Sequence, residues 1–270
     1  MPLTSLPRFS GLAAGPERRS VKAHKFLAQP ASPVRHPTLW RRPLGETAIA
    51  IESILLSWSG GKDSCMALAE ISENRAQPVA GLLSTVTEGF ERVSMHGVRV
   101  ALLEQQAAAL ALPLRLVYIP KDATNEIYES RMAEALGGFQ RQGISEVAFG
   151  DLFLADIREY RERWLSRIGI RAIFPLWQRD TAQLAQSFID QQFQAVITCV
   201  DARVLDRSFA GRLYDKRLLH DLPAGIDPCG ENGEFHTFVF AGPTFHRQIR
   251  LRTGEIVLRE SWYFCDLLPE

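Results

Sequence analysis

The chain has only four cysteines in 270 residues, at positions 65, 199, 229 and 265, and no Cys-x-x-Cys pair. Such spacing excludes a disulfide-stapled scaffold and a zinc knuckle, and it fits reduced thiols. No run of 18 or more apolar residues occurs, and no basic start is followed by a short apolar block. Neither a membrane span nor an export signal is therefore expected, and the chain reads as soluble and cytoplasmic. What is present is a 46% apolar composition, enough to build the core of one large or two modest domains.

Net charge is also missing, yet the balance of 31 basic and 31 acidic residues is uneven along the chain. Residues 1–50 carry eight basic groups against Glu17 and Glu46, and the remaining residues carry 23 against 29. Seven of the fifteen prolines also fall in that first stretch, which shows no apolar period. It reads as a disordered basic extension unable to bury enough surface to offset its ordering entropy. Organelle targeting is a weaker reading, since the prolines would break an amphipathic helix. Nucleic-acid contact by these arginines and a mis-assigned start codon are other readings.

From Ile51 the chain alternates short β-rich runs with longer helical patterns, as a sheet covered by helices requires. Strands are expected at 54–58, 79–86, 114–119, 146–149 and 170–176, with helices at 63–74, 98–112, 125–142 and around Ile157, Tyr160, Trp164 and Ile168. This order predicts an α/β fold with a doubly wound, mostly parallel, five-stranded sheet whose ligands meet the carboxyl ends of its strands. Residues 51–177 would form that domain. Residues 178–270 would form a smaller α+β domain: a helix at 181–193 capped by Asp180 or Thr181, a strand at 195–200, a mixed segment at 203–220, and strands at 235–240 and 255–264.

The most informative stretch is Ser59-Gly60-Gly61-Lys62-Asp63-Ser64, where the first strand turns into the first helix. Two glycines let backbone amides approach oxygens, the helix N-terminus adds unpaired N–H groups, and Lys62 adds a full charge, so the stretch reads as an anion cradle. Each charge-assisted hydrogen bond to phosphate contributes roughly 1.5–3 kcal/mol. Neither G-x-x-x-x-G-K-[ST] nor G-x-G-x-x-G is matched. The plainer reading is a tight turn with a solvated Lys62-Asp63 pair.

These six residues resemble the SGGKDS signature of the PP-loop ATP pyrophosphatases, a resemblance that implies a Rossmann-like (HUP, adenine nucleotide α-hydrolase-like) fold and adenylation by ATP with release of pyrophosphate. Within that superfamily, the region from Ile51 to Pro269 resembles the diphthine–ammonia ligase (diphthamide synthase) family. Leu176-Trp177-Gln178-Arg179 matches its L-W-x-R element, and Cys229-Gly230-Glu231-Asn232-Gly233-Glu234-Phe235-His236-Thr237 is similar to its C-G-E-G-G-E-Y-E-T element. Asn232, Phe235 and His236 replace the family's Gly, Tyr and Glu. The stretch from Gly150 to Asp156 stands where diphthine-directed members carry S-D-Y-x-x-x-R. A branch with retained ATP chemistry and an altered substrate is implied. Arginine outnumbers lysine 26 to 5, the balance of a GC-rich, bacterial genome, in which the diphthamide target is absent.

The resemblance implies an ATP-dependent ligase in which ATP and Mg²⁺ act with a small-molecule or protein carboxylate and with ammonia or an amine. Ser59, Gly60, Gly61, Lys62, Asp63 and Ser64 would bind the nucleotide, with Lys62, Asp63, Asp151, Glu231 and Glu234 as catalytic candidates. Asp63 would either cap the helix or join the Mg²⁺ shell. Arg99 could meet a phosphate or carboxylate, or a surface acid, and His236 and Thr237 would orient the acceptor. Asn232-Gly233 is also a type I′ hairpin signal, in which case Glu231 and Glu234 are solvated strand ends. Trp164 and Trp177 read as core, Cys65 as a buried thiol, and His220 and His246 lack metal-ligand spacing. A nucleotide sensor without turnover is the alternative function. A membrane or nucleic-acid partner is not expected, and a homodimer stays open.

Overall fold

The computed structural model describes residues 53–90, 92–93 and 96–270. The expectations for residues 1–50 lie outside the described residues. Along the chain come β1 (Ile54–Ser57), α1 (Lys62–Asn74), β2 (Val79–Thr87), β3 (Arg92–Val93), α2 (Val100–Ala109), β4 (Leu114–Ile119), α3 (Asn125–Gln140), β5 (Glu146–Ala148), α4 (Ala155–Arg167) and β6 (Arg171–Ile173). Five of the strands are parallel and lie in the order β4-β2-β1-β5-β6. The chain builds outward from β1 in one direction, returns, and builds outward in the other. The carboxyl ends of β1 and β5 therefore border the crevice where such sheets bind ligands.

The residues of β1 explain the layering. Ile54, Leu55 and Leu56 are all fully buried, as in a strand covered on both faces. Ile54 and Leu56 join one core with α1 and α2, while Leu55 joins a second with Met132 and Leu136 of α3 and Trp164 and Leu165 of α4. The expected doubly wound α/β sheet is thus formed. Its additions to the expectation are small: β3 pairs antiparallel with Val86 and Thr87, and β6 and α2 are shorter than their apolar runs.

After β6, Asp180 caps α5 (Thr181–Asp190) by accepting from Gln183 N–H at 2.8 Å, and the chain continues through β7 (Gln194–Asp201), a 3-10 turn at Arg207–Phe209, α6 (Lys216–Asp221), β8 (Phe235–Ala241), β9 (Leu251–Arg259) and β10 (Trp262–Pro269). These strands form an antiparallel sheet in the order β8-β7-β10-β9. The single strand expected over 255–264 is instead the meeting of β9 and β10. Their turn holds Glu260 at φ +55°, and a Glu-Ser turn lacks the Asn or Gly that announces a hairpin in a sequence. Among the described residues, no helix is long and apolar enough to cross a membrane.

The two sheets share one core, in which Leu56, Trp58 and Leu102 lie with Phe188, Val196 and Phe238. A polar seam joins them as well. Val239 N–H of β8 donates to Gly60 O at 2.9 Å. Gln106 of α2, fully buried, accepts from Trp58 Nε1 at 2.9 Å and donates to Gly60 O at 2.9 Å and Val239 O at 2.6 Å. Gln106 thereby satisfies groups from the end of β1, the following loop and β8 together. Gln106→Leu leaves the Trp58 N–H and Val239 carbonyl without this partner, at about 1–3 kcal/mol for each. The expected outcome is a lower urea midpoint at unchanged slope, and an unchanged midpoint would contradict this role.

Candidate functional site

The loop after β1 has the backbone that its glycines predict. Gly60 sits at φ +80°, and a Cβ there would stand 2.6 Å from Gln106 Oε1. Gly61 is the N-cap of α1 and has no side-chain partner for the helix. Hydroxyls take that part from elsewhere: Lys62 N–H donates to Thr237 Oγ1 at 3.0 Å, and Gly61 N–H to Ser59 Oγ at 3.2 Å. Ser64 Oγ donates to Gly61 O at 2.9 Å, closing the turn from within. The N–H groups of Asp63 and Ser64 open the helix and have no earlier helical carbonyl to bond. Gly150, just past β5, lies directly against them, since a Cβ there would come within 2.9 Å of Asp63 C and 3.1 Å of Ser64 N. The loop after β5 is thus drawn against the first turn of α1 by the absence of a side chain.

Lys62 is 3% exposed and points into the protein. Its ammonium donates to both oxygens of Asp63 at 2.8 Å and to the Cys229 carbonyl. The rings of Tyr214 and Phe235 lie 5.9 and 5.7 Å from Nζ. Burial opposes the charge, but Asp63, the Cys229 thiol and Glu231 outweigh it and raise the lysine above its ordinary value. The solvated Lys62-Asp63 pair of the plainer reading is therefore replaced by a buried lysine on a half-buried carboxylate. Asp63 is held in turn: burial raises its carboxyl and Lys62 pulls against the rise. Neither of its oxygens caps the helix, contrary to that expectation.

The structure brings Glu231 and Asp151 to the same strand ends. Glu231 Oε1 accepts from Leu152 N–H at 2.7 Å and Phe153 N–H at 3.4 Å, beside Asp151. Burial pushes its carboxyl up to about 7, opposed by the Leu152 bond and Lys62 and reinforced by Asp63 and Asp151. Asp151 is paired with Arg161 at 3.1 Å, and that guanidinium lies 4.3 Å over the Phe149 ring. Glu234 turns away: it is buried, and its Oε1 accepts from Asp227 N–H and Asn232 Nδ2 at 3.1 and 3.0 Å, bracing its own loop. Asn232-Gly233 forms no hairpin either. Gly233 N–H closes a tight turn on Gly230 O at 3.0 Å, because Gly230 and Gly233 both adopt positive φ.

Arg99 lies in the surface pairing that the sequence left open, donating to Asp266 at 2.6 and 3.2 Å beside Arg92. His236 and Thr237 do reach the loop, and His96 comes with them: its Nδ1 is 3.4 Å from Thr237 O, and its ring centroid is 4.4 Å from that of His236. Sequence reasoning missed Gln106, Arg161 and the role of His96. Arg161 had a signal, for S-D-Y-x-x-x-R fits Ala155 to Arg161 when read a few residues further on, keeping Asp156 and Arg161. Gln106 had one too, as a polar residue on the apolar face of α2. A cavity of about 750 Å³ shares Tyr214 with the surroundings of Lys62, but residues such as Ile189, Phe193, Leu213 and Pro243 line it and the 59–64 loop does not. This cavity is therefore separate from the glycine loop.

Among the described residues, no three His, Cys, Asp or Glu side chains stand together as a metal cage. Asp63 and Asp151 each hold a basic partner, and Glu231 holds backbone amides, so the residues present do not fit a resident Mg²⁺. The described cysteines are all buried; burial raises Cys65 well above its ordinary value and Cys229 to about 12, so both stay protonated.

Fold and loop together define a nucleotide-binding α/β protein of the PP-loop ATP pyrophosphatase class. The comparisons narrow this. The diphthamide synthase N-terminal domain model matches residues 52–172, and the C-terminal domain model matches residues 180–268. The chain belongs to the diphthamide synthase (diphthine–ammonia ligase-like) family. It is 26% identical over 238 residues to the diphthine–ammonia ligase of Bos taurus and 26% over 242 to that of Homo sapiens, covering 77% of this chain and 86% of each relative. The Schizosaccharomyces pombe diphthine–ammonia ligase is 24% identical over 230 residues, and there the match spans 77% of this chain but 38% of the relative. A solved structure titled a predicted subunit of tRNA methyltransferase from Methanocaldococcus jannaschii covers 53% of this chain and 77% of its own at 17% identity and a TM-score of 0.35, too loose to bear on function.

Glu231 makes stability depend on pH. Its folded value of about 7 stands above the ordinary 4.5, so the folded chain holds a proton that the unfolded chain has released. Stability contributed this way is full below about pH 4.5 and is lost as pH rises through 7. Glu231→Gln should flatten that slope, measured by chemical denaturation at pH 5, 6 and 8; an equally steep slope in the variant would assign it to other groups.

Proposed function

We propose that the protein is an ATP-dependent ligase that adenylates a substrate carboxylate, releases AMP and pyrophosphate over the cycle, and joins the acyl group to ammonia or an amine. One observation carries the reading: a glycine loop with Gly60 at φ +80° runs from β1 into α1 at the point where strand order reverses, with Lys62 inside it. Family membership supports a ligase, and the relatives carry the name diphthine–ammonia ligase. The particular carboxylate is not carried over, because His236, at the position of the family's glutamate, stands on β8 next to Thr237, which bonds the Lys62 amide.

Gly60, Gly61, the first amides of α1 and Lys62 would hold the outer phosphates of ATP. The substrate carboxylate attacks the α-phosphorus, and pyrophosphate departs into preorganised donors that need no reorientation as charge develops. Ser59 and Thr237 hydroxyls, now on the Gly61 and Lys62 amides, mark positions where acceptor oxygens fit. Magnesium would enter with the phosphates, consistent with its preference for substrate oxygens and water over an all-protein cage. Glu231 and Asp151, at the ends of the strands, face the reacting side. The expected compartment is the cytoplasm, and residues 51–177 and 178–270 remain our proposed nucleotide and substrate portions.

Incubation with ATP, Mg²⁺, ammonium and a library of carboxylic metabolites should yield AMP, pyrophosphate and a new amide by mass detection. Lys62→Ala should lower that turnover by about 10²–10³-fold. ADP and phosphate as products would refute the mechanism, and tight binding with no AMP would install the sensor reading instead.

A further inference from the structure

Two histidines stand beside the loop, backed by Trp262, and no step above uses them. His96, just before α2, places Cε1 3.3 Å from the position a Gly61 Cβ would take. Its ring packs on His236 of β8 at 4.4 Å and 37°, and His236 stacks on Trp262 of β10 at 5.8 Å and 18°. His236 Nε2 is buried and has no hydrogen-bond partner. A buried polar atom left without a partner is costly, and at a ligand site it marks a place where a ligand atom completes the bond. His96 differs. The nearest group to Nδ1 is the Thr237 carbonyl, which can only accept, so the proton is assigned to Nδ1 and Nε2 keeps a bare lone pair.

We propose that His96 and His236 form the subsite for the nitrogen nucleophile, with His236 Nε2 hydrogen-bonding the incoming ammonia or primary amine and His96 Nε2 accepting its proton. This rests on the ligase reading above. In the step, the nitrogen lone pair forms the C–N bond at the acyl carbon of the acyl-adenylate. The bond from that carbon to the AMP phosphate oxygen breaks, and its electron pair leaves on AMP. The proton released from nitrogen passes to His96 Nε2 and then to solvent.

The charges around the pair couple this acceptance to nucleotide. Burial holds His96 down to about 4, with the Thr237 bond resisting and Lys62 of α1 adding to the fall. Burial, His96 and Lys62 together hold His236 well below its ordinary value. Lys62 is itself paired with Asp63 on α1; β8 presents only His236, and the β10 ring of Trp262 carries no charge. On the segment of His96, Arg92 and Arg99 are engaged by Asp266 of β10. Both imidazoles are thus neutral when the loop is empty. A polyphosphate on the loop offsets the Lys62 contribution and eases the depression, while burial, the larger cause, stays in place.

The test is imidazole ¹⁵N–¹H correlation spectroscopy on the full ¹⁵N-labelled chain between pH 5 and 8, with His96→Gln assigning the His96 signals. Without nucleotide, His96 should stay neutral with its proton on Nδ1. With Mg²⁺ and α,β-methylene-ATP, which cannot release pyrophosphate, its midpoint should rise measurably above the nucleotide-free value. If amides of residues 59–64 report bound analogue while His96 does not move, or if its proton lies on Nε2, the inference fails and the ligase reading stands. If those amides do not respond at all, both fall. A His96→Gln chain that misfolds does not block the test, since single Gln variants of the other five histidines assign their rings and leave His96 by difference.

Discussion

A buried ammonium governs this protein. Lys62 lies inside the fold, where an unpaired charge costs several kcal/mol, so partners must reach it from distant parts of the chain. Asp63 comes from the next residue, but the Cys229 carbonyl and the rings of Tyr214 and Phe235 come from the second half of the sequence. The surroundings of the loop after β1 are therefore completed by the second half of the chain. Val239 on Gly60 and Gln106 between them are the neutral part of the same closure. This makes the glycine loop part of a seam between two sheets rather than a feature of either.

Around that lysine the site keeps its charges in local balance. Asp63 answers Lys62, Asp151 answers Arg161, and Glu231 is left with backbone amides. Glu231 is consequently the carboxyl that yields, with a value near neutrality, and the two histidines stay uncharged beside the lysine. An arriving polyanion would disturb this balance in one direction only, favouring protons on the imidazoles. Binding and proton traffic are in this way parts of one electrostatic problem.

The parallel sheet was legible because strands buried on both faces are written as short apolar runs, and Ile54 to Leu56 is such a run. The glycine loop was legible because positive φ and close backbone approach require glycine at fixed places. The acidic element was legible as a motif but not in its roles. Glu231 and Glu234 are three residues apart on a tight turn, so one reaches the strand ends while the other braces the loop. The β9–β10 hairpin was hidden because its turn residues carry no conformational signal of their own.

The sequence by itself determined the alternation of strands and helices, the conformation of the 59–64 loop and the family, since period, glycine placement and motif order are local properties of a chain. Only the tertiary structure decided which polar groups meet: Gln106 with Gly60, Arg161 with Asp151, His96 with His236, and Arg99 with Asp266 rather than with a ligand. Those pairings join residues separated by 10 to 167 positions, and such contacts depend on how strands, helices and sheets pack together, which no local pattern encodes.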